Sequence, residues 1–453
     1  MLAGCAVGPD YKRPAMPVPA AFKEGGAWQV AQPNDASVRG KWWAIFGDAT
    51  LDGLMEQVST ANQNLQVAEA RYRQARALAE GARANFFPTV GLNASSKRTG
   101  TEQGTTTSHN VNAALSWEAD IWGKLRRQAE ANDSSSAASA ADLEATRLSL
   151  QADLASSYFQ LRVTDYQKQL LDETVAAFEK SMQLTRNRYT AGVAGKVDVV
   201  QAETQLLSAK AQQIDLGSTR AQLEHAIAVL VGKAPADFSI ARIQWNPTLP
   251  EVPAALPSSL LERRADVAAA ERRAISANAQ IGVAKAAWFP SLTFSANDGY
   301  TSSTLAKWIS APNRVWSMGP ALAETLIDFG KRGSVSDQAV ASYDQAAATY
   351  RQAVLQAFQD VEDNLADLRI LAEEAKVQDD AVRVARESVT LTTNQYKAGT
   401  VNYLSVVTVQ TAQFNNERTS ASLLGRRLLA TVGLIKALGG GWQPGTTAED
   451  RGR

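Results

Sequence analysis

The feature that most limits how this chain can fold is a run of 68 residues, Lys124–Ala191, that contains no Gly and no Pro. Gly123 precedes the run and Gly192 follows it. Helices in globular proteins average about 11–12 residues, whereas a helix of this length would extend roughly 100 Å at 1.5 Å per residue. A second run of the same character covers Ser334–Ala398. The two runs predict a fold organised around two long helical rods.

The two rods belong to two copies of one sequence unit. Tyr189–Gly192 matches Tyr396–Gly399 at an offset of 207 positions, and Gly232 matches Gly439 at the same offset. Repeats of 20–50 residues would indicate a solenoid. Two much longer copies indicate instead a single fold with internal pseudo-symmetry.

Composition narrows the classes of function. The chain carries 46 basic and 46 acidic residues, so its formal net charge is +0. A nucleic-acid-binding protein usually shows a basic excess, and we therefore expect no nucleic-acid partner. No segment holds 18 consecutive apolar residues, so the sequence predicts no transmembrane helix.

The amino terminus carries the only cysteine, Cys5, in the sequence Leu2-Ala3-Gly4-Cys5. This tetrapeptide resembles the bacterial lipobox, in which the cysteine is lipidated and becomes the first residue of the mature protein. A signal peptide should precede such a motif, and we expect the natural start to lie upstream. The alternative is an unmodified cysteine in a flexible terminus. The proline-containing segment that follows, up to residue 50, is typical of an extended tether.

Short alternating segments predict two hairpins. A helix over Leu51–Phe86 should end before Pro88, because proline lacks the backbone donor and disfavours helix at the preceding residue. Apolar residues then alternate with small or polar ones over residues 90–95 and 111–117, on either side of a polar tip at Ser96–Ser108. This pattern predicts two strands with one apolar face.

The second copy repeats this hairpin over residues 292–296 and 316–322, although Pro320 interrupts the last strand. Helices predicted after each long run, at Lys196–Val231 and Val401–Leu438, are about half its length. With Leu51–Phe86 and Ser258–Trp288 they can stack in pairs to match the rods. Apolar residues spaced alternately four and three apart predict a coiled-coil seam on the second rod; they are Val354, Phe358, Val361, Leu365, Leu368, Ala372 and Ala375.

The predicted organisation is mainly helical, with a small β part and an internal duplication. Five segments follow from it: a lipidated terminus and tether at 1–50, a first repeat at 51–232, a proline-rich linker at 233–257, a second repeat at 258–438 and a tail at 439–453.

Four strands cannot close into a barrel, and an open sheet in lipid would leave edge N–H and C=O groups unsatisfied. Small transmembrane barrels begin near eight strands. Several copies must therefore share one barrel. Three copies would supply 12 strands and 12 helix-lengths; the sequence alone also allows two or four copies.

The full pattern resembles the TolC-like outer-membrane efflux factors, in the lipoprotein branch (NodT/OprM-like) that serves resistance-nodulation-division pumps. The motifs that carry the resemblance, in chain order, are Cys5-Ala6-Val7-Gly8-Pro9-Asp10-Tyr11, Trp42-Trp43, Phe87-Pro88, Asp120-Ile121-Trp122-Gly123-Lys124, Asp328-Phe329-Gly330-Lys331 and Ala437-Leu438-Gly439-Gly440-Gly441-Trp442.

The resemblance implies a homotrimer with a 12-stranded barrel in the outer membrane and a 12-helix barrel in the periplasm, anchored in outer-membrane lipid through Cys5. It also implies two partners, a periplasmic membrane-fusion adaptor and an inner-membrane pump. The subunit itself would be a passive exit duct for drugs or other small molecules and would need no cofactor. An outer-membrane channel for protein secretion, which shares the fold, is the alternative.

The resemblance further implies functional residues at the turns that end the rods. We expect the adaptor to contact the two turns Ala191-Gly192-Val193 and Ala398-Gly399-Thr400. The family's gate combines an apolar, an acidic and a basic residue, which correspond here to Leu404, Thr408 and Thr411. Since both threonines are uncharged, we expect closure by a ring of Leu404 side chains, with Asp198 giving a cation preference nearby. The alternative is that Leu404 is only a seam residue.

Catalytic and metal-binding patterns do not appear in the sequence. The two histidines, His109 and His225, are far apart and lack ligand spacing, and no phosphate-binding loop is present. We therefore expect neither an enzyme nor a metal site. A lipid-anchored coiled-coil scaffold is a further alternative, but it leaves four alternating strands unexplained.

Overall fold

The computed structural model describes residues 6–16, 23–24, 40–102, 104–245, 249–250 and 264–440. These residues form two compact units. The sheet unit contains residues 6–16, Glu69–Asp142 and Asp266–Ala353, and the helical unit contains the remaining described residues.

The sheet unit is built on one antiparallel sheet of four strands in the order β1-β2-β3-β4. The strands are β1 (Thr89–Thr101), β2 (Gly104–Ala119), β3 (Ser291–Ser302) and β4 (Arg314–Ala323). The two predicted hairpins are therefore confirmed. The predicted polar tip at Ser96–Ser108 is wrong, because the ladder continues through it to the pair Thr101 and Gly104. Threonine is enriched in strands, and this segment contains Thr99, Thr101 and Thr105–Thr107.

One face of the sheet is apolar and the other is mostly polar or small. Directly paired residues share a face, so the pairs Trp117 with Phe294 and Leu115 with Ala296 lie on the same side. Val90, Leu92, Trp316, Met318 and Leu322 continue this side and are all exposed. The opposite face carries Asn112, whose amide donates to Asn297 at 3.3 Å.

Both outer strands of the sheet, β1 and β4, lack a second neighbour among the described residues. Pro320, expected to interrupt the last strand, is accommodated within β4 opposite Phe294. Within a single copy β4 is an outer strand, where a missing ladder donor costs least.

The two long helices are confirmed as α3 (Lys124–Thr190) and α6 (Lys331–Ala398), with 67 and 68 residues. Each is therefore about 100 Å long. The second begins three residues earlier than the glycine-free run, because Gly333 is accommodated inside its first turn. A single interior glycine costs only about 1 kcal/mol relative to alanine.

The helix predicted over Leu51–Phe86 is two helices, α1 (Ala49–Ala61) and α2 (Gln63–Ala84). Asn62 separates them in an extended conformation. Its side-chain oxygen accepts from the Leu65 backbone N–H at 3.0 Å, and its amide donates to the Leu230 carbonyl at 2.7 Å. A capping asparagine thus starts a new helix without Gly or Pro.

The remaining helices are α4 (Lys196–Leu230), α5 (Ala265–Ala286) and α7 (Tyr403–Ala437). In the described part of the chain, short 3-10 turns lie at Trp42–Phe46, Pro235–Asp237, Leu305–Lys307 and Ala311–Asn313. Residues 258–263 of the helix predicted over Ser258–Trp288 lie outside the described residues. None of the described helices combines the length and apolar character required to cross a membrane.

The core of the helical unit contains a buried polar network on α3. Arg162, 1% exposed, donates to the Tyr158 hydroxyl at 3.0 Å and to the Ala241 carbonyl at 2.8 Å. The Tyr158 hydroxyl donates in turn to Asp48 at 2.6 Å. Burial raises the pKa of Tyr158 to about 12. The network ties the start of α1 and the chain after α4 to the middle of the first rod.

Helices α6 and α7 approach closely at Gly433. A Cβ added to this glycine would lie 2.1 Å from the Asn364 Oδ1 atom. Asn364 is held in place because its amide donates to the Asp360 carbonyl at 2.6 Å. A side chain at position 433 would therefore force Asn364 to move.

Residues 6–16 lie along the sheet unit and contact both copies of the duplication. The Val7 N–H donates to the Trp122 carbonyl in the first copy at 3.0 Å. Arg13 forms an ion pair with Glu271 of the second copy at 2.7 Å. The segment therefore connects the two copies within this unit.

Candidate functional site

The candidate site is the pair of turns that end the long helices. In the first turn, Gly192 has a positive φ of 73° and its N–H donates to the Tyr189 carbonyl at 2.9 Å. The Val193 N–H donates to the Arg188 carbonyl at 2.9 Å. This is a Schellman motif, in which a left-handed glycine satisfies the last helical carbonyls. Ala191, Gly192 and Val193 are exposed, Val193 to 66%.

The second turn repeats this geometry. Gly399 has a φ of 80°, and its N–H donates to the Tyr396 carbonyl at 3.0 Å. The N–H and hydroxyl of Thr400 both donate to the Gln395 carbonyl at 3.0 Å. Ala398, Gly399 and Thr400 are exposed as well. The duplicated sequence thus produces two solvent-facing turns of the same type.

The residues predicted to form the gate lie on the first turns of α7. Leu404 is 53% exposed. The Thr408 hydroxyl donates to the Leu404 carbonyl at 2.9 Å, and the Thr411 hydroxyl donates to the Val407 carbonyl at 2.8 Å. Both threonines are uncharged, and both donate to their own helix, so neither can form an ion pair with another copy.

Asp198 caps the start of α4. Its carboxylate accepts from the Gly195 backbone N–H at 3.3 Å. A negative charge in the first turn is also favoured by the helix dipole. Asp198 is half-buried, and its role in cation preference stays a prediction.

A cluster that sequence reasoning missed joins the two turns. The Arg188 guanidinium lies 4.6 Å from the centre of the Tyr396 ring and donates to the Tyr396 carbonyl at 2.9 Å. Tyr396 packs against Tyr403 with ring centres 5.5 Å apart. The Tyr403 hydroxyl lies 3.1 Å from that of Ser181. We call Ser181, Arg188, Tyr396 and Tyr403 the turn clamp; it binds the end of α3 to α6 and α7.

Physical chemistry explains the stability of the clamp. A cation near the end of α6 interacts favourably with the carbonyls left unpaired there. A guanidinium stacked on an aromatic ring adds a cation–π interaction. Burial raises the pKa of Tyr403. The sequence contained one signal that could have indicated the clamp. The two copies differ at this position, because Arg188 of the first copy corresponds to Gln395 of the second.

Cys5 and the final residues, including Trp442, lie outside the described residues, so the lipidation hypothesis stays a prediction. Within the described ranges, no group of three or more His, Cys, Asp or Glu side chains is arranged to hold a metal ion. The site therefore consists of helix ends, a clamp and exposed apolar side chains.

Comparisons with known proteins agree with this architecture. The family model described as "Outer membrane efflux protein" matches residues 54–233 and 256–440. The chain is 31% identical to a probable efflux pump outer membrane protein, TtgC of Pseudomonas putida, over 98% of this chain and 94% of TtgC. It is 28% identical to nodulation protein T of Rhizobium leguminosarum, over 98% of this chain and 96% of that protein.

Solved structures of outer-membrane channels also match this chain over nearly its whole length. The outer-membrane channel OprN superposes with a TM-score of 0.89 at 31% identity, covering 97% of this chain and all of OprN. The MtrE outer membrane channel of Neisseria gonorrhoeae superposes with a TM-score of 0.86 at 28% identity, covering 98% of this chain and all of MtrE. From the family match, the near-complete relatives and the shared fold, we conclude that this chain belongs to the outer membrane efflux protein family.

Proposed function

We propose that the chain is the exit duct of a tripartite efflux system in the bacterial outer membrane. It would passively conduct small molecules delivered by a periplasmic adaptor and an inner-membrane pump. The observation that carries the proposal is the four-stranded sheet, which has one exposed apolar face and two unpaired edges. A sheet of this kind suits lipid on one side and an aqueous channel on the other.

The unpaired edges support an assembly of several copies. In lipid, each unsatisfied backbone group would cost several kcal/mol, so β1 and β4 need partners. A neighbouring copy supplies both if its β1 pairs with β4 of the first. We propose a homotrimer with a barrel of twelve strands; sedimentation in detergent distinguishes it from two or four copies.

Relatives favour small molecules over proteins as the cargo. Two proteins of Pseudomonas putida, each 31% identical to this chain, are named a toluene and an antibiotic efflux pump outer membrane protein. We propose drugs or solvents as the exported class and a resistance-nodulation-division pump as the partner. Secretion of proteins is the second candidate, and the neighbouring genes would distinguish the two.

The exposed turns are the proposed contact with the adaptor. Gly192 and Gly399 reverse the chain with no side chain of their own, and Val193 adds an exposed apolar group beside them. The same geometry at both turns offers an adaptor two similar contacts per copy. We propose that Ala191, Gly192, Val193, Ala398, Gly399 and Thr400 form this contact.

We also propose that Cys5 carries a lipid anchor. Ala6, the next residue, packs against the backbone of Gly123, where a Cβ would approach it to 2.9 Å. Gly123 lies between β2 and α3, so the lipid would begin beside the end of the sheet. One acyl chain alone binds membranes only marginally, and a sheet in the membrane would supply the second attachment.

The gate is proposed to be a ring of Leu404 side chains. Leu404 is exposed five residues after Gly399, and both threonines that follow are bonded to their own helix. An apolar constriction closes a pore by excluding water. In this closure no ion pair between copies is required.

Purified protein in planar lipid bilayers tests both the channel and the gate. We expect wild-type protein to give rare, small conductance steps and Leu404→Ala to give larger or more frequent ones. Cells carrying Leu404→Ala should become sensitive to large antibiotics such as vancomycin.

The matched control is Thr408→Val, one turn further along the same helix, which should leave conductance unchanged. No conductance from either protein would contradict the channel. Equal conductance from wild type and Leu404→Ala would place the constriction elsewhere.

A further inference from the structure

The pairing of the strands assigns each residue of the sheet to one of its two faces. Successive residues of a strand lie on opposite faces, and directly paired residues share a face. Trp117 and its partner Phe294 mark the apolar face. The even positions of β2 therefore lie on the opposite face, which we call the polar face. On β1 the polar face takes the odd positions, because Asn93 pairs with Asn112.

The polar face is lined mainly by small, uncharged side chains. Asparagine, serine, threonine, glycine and alanine occupy most of its positions on the four strands. Asn112 and Asn297 of neighbouring strands are joined across this face by a hydrogen bond of 3.3 Å. On the outer strand β4 the same face carries the uncharged residues Val315, Ser317 and Gly319. The polar face is thus electrically neutral along most of its length.

Two charged side chains lie on the polar face of the described strands, one towards each end. Glu118, near the end of β2, forms an ion pair with Lys124 of α3 at 3.0 Å. Lys97 of β1 is exposed and pairs with Ser108, and the nearest positions around it on this face hold serine, threonine and asparagine. Within the described strands, Lys97 is therefore the charge on this face that no ion pair neutralises.

The carboxylates that could offset Lys97 from the two neighbouring strands lie far along them. Glu118 is ten residues from Ser108 on β2, or about 33 Å at 3.3 Å per residue. Glu102 lies beyond the last pair of the ladder, more than about 13 Å from Lys97 by the same rise. Since the Debye length in 0.1 M salt is about 10 Å, the field of Lys97 is not cancelled at this salt concentration.

Arg98, the next residue of β1, carries the same charge on the apolar face. It is exposed and pairs with Thr107, an odd position of β2. The loop between β3 and β4 packs on this side too, because the ring of its Trp308 lies 5.9 Å from the ring of His109. Two adjacent basic residues thus lie on opposite sides of one sheet.

From this placement, and resting on the proposed barrel of three copies, we propose that Lys97 makes the outer mouth of the channel prefer anions. With the apolar face against lipid, the polar face lines the pore, and each copy contributes one Lys97. Helices α2 and α3 join the sheet at the end opposite to the connection between β1 and β2. Lys97 therefore lies near the mouth away from these helices, where the three ammonium groups form a ring that attracts anions and repels cations.

The expected size of the effect follows from Coulomb's law. Three unit charges about 10 Å from a passing monovalent ion, screened by 0.1 M salt, change its local concentration roughly twofold. In 1 M salt, where the Debye length is about 3 Å, the change becomes negligible. Because the rest of the strand lining is neutral or paired, the ring determines the charge preference of this part of the pore.

The reversal potential of full-length protein in planar lipid bilayers, under a gradient of potassium chloride around 0.1 M, tests the proposal. Lys97→Gln should raise the permeability of potassium relative to chloride, and Lys97→Glu should raise it further. Both shifts should disappear in about 1 M salt. Since each variant is compared with wild type, charges elsewhere in the chain, such as Asp198, affect both measurements equally.

The matched control is Arg98→Gln, which removes the same charge one residue away and should leave the reversal potential unchanged. A second measurement changes the charge in a channel that has already assembled. In a Cys5→Ser background, Lys97→Cys provides the only thiol. A positively charged thiosulfonate reagent should shift the preference towards chloride and a negatively charged one towards potassium, whereas Arg98→Cys should respond to neither.

Equal shifts from Arg98→Gln and Lys97→Gln would overturn the assignment of Lys97 to the pore. Unchanged reversal potentials in both Lys97 variants and after both reagents, in channels of wild-type conductance, would overturn the charge preference and leave the channel intact. Absence of conductance from the wild-type protein would contradict the proposed channel instead. The conductance and the reversal potential thus separate the two failures.

Discussion

Helices α4 and α7 occupy equivalent places in the two copies and contain 35 residues each, yet they differ in burial. In α7 thirteen residues are buried, whereas in α4 only five are. Ile214 of α4 is 76% exposed, while its equivalent in α7, Ala421, is 2% exposed. The duplication therefore preserved length and position but not environment.

This difference indicates that the helices packed around α4 and α7, and not their common origin in the duplication, determine which face of each is apolar. Helix α7 contacts α3, α4 and α6 within its own chain through Ser181, Gln205 and Gln378. Helix α4 retains an apolar face with no partner among the described residues. At this pair of positions the exposed residue of α4 is large, and the residue of α7, which neighbouring helices of the same chain surround, is small.

The difference between α4 and α7 is tested most directly by truncating one buried leucine and one exposed leucine. Leu428 of α7 is fully buried, and replacing a buried leucine by alanine costs about 2–5 kcal/mol. Leu428→Ala should lower the thermal midpoint of helix melting at every protein concentration. The matched variant Leu207→Ala should lower it only where copies associate, so that the shift depends on concentration. Equal shifts from both variants would mean that the two helices do not differ in this way.

The turn clamp offers a second, smaller contrast between the copies. Arg188→Ala removes a charge-assisted hydrogen bond, which contributes about 1.5–3 kcal/mol. We expect faster amide hydrogen exchange in the last turn of α6 and the first turn of α7. Its equivalent in the second copy, Gln395, is exposed, so Gln395→Ala should change exchange little. Arg188→Lys should restore protection only in part, because an ammonium cannot stack as a guanidinium does.

The smallest expected effect is acid sensitivity of the α3–α4 contact. Burial raises the pKa of Asp172, but hydrogen bonds from Lys168 and from Gln213 of α4 outweigh it, and the net shift is downward. A lowered pKa gives stability that is present above the unfolded value of about 3.9 and is lost as pH falls through the folded value.

The protection of amides around Gln213, measured relative to the intrinsic exchange rate at each pH, should therefore fall at low pH. Protection around Leu423 of α7, which packs against apolar Leu371, should not. Asp172→Asn should abolish the difference between neutral and acid conditions. A loss of protection of equal size around Leu423 would indicate general unfolding instead of a local contact.

The positions of Gly and Pro made most of the helix and strand ends predictable from the sequence. The first long helix ends within one residue of its expected limit because Gly192 alone can take the positive φ of the turn. The break at Asn62 was missed, since an asparagine cap resembles any polar helix residue until its partner, the Leu230 carbonyl, is known. The turn clamp was missed for the same reason, because Arg188 and Tyr396 lie in different copies and no local pattern relates them.

The close approach at Gly433 bears on whether the two copies of the duplication can exchange sequence. The equivalent residue in the first copy is Ala226, and the equivalent of Asn364 is Ser157. Recombination that copied the first half over α7 alone would place a methyl group 2.1 Å from the Asn364 oxygen, far inside contact distance. An exchange that made α7 like α4 would therefore also require Asn364 to move.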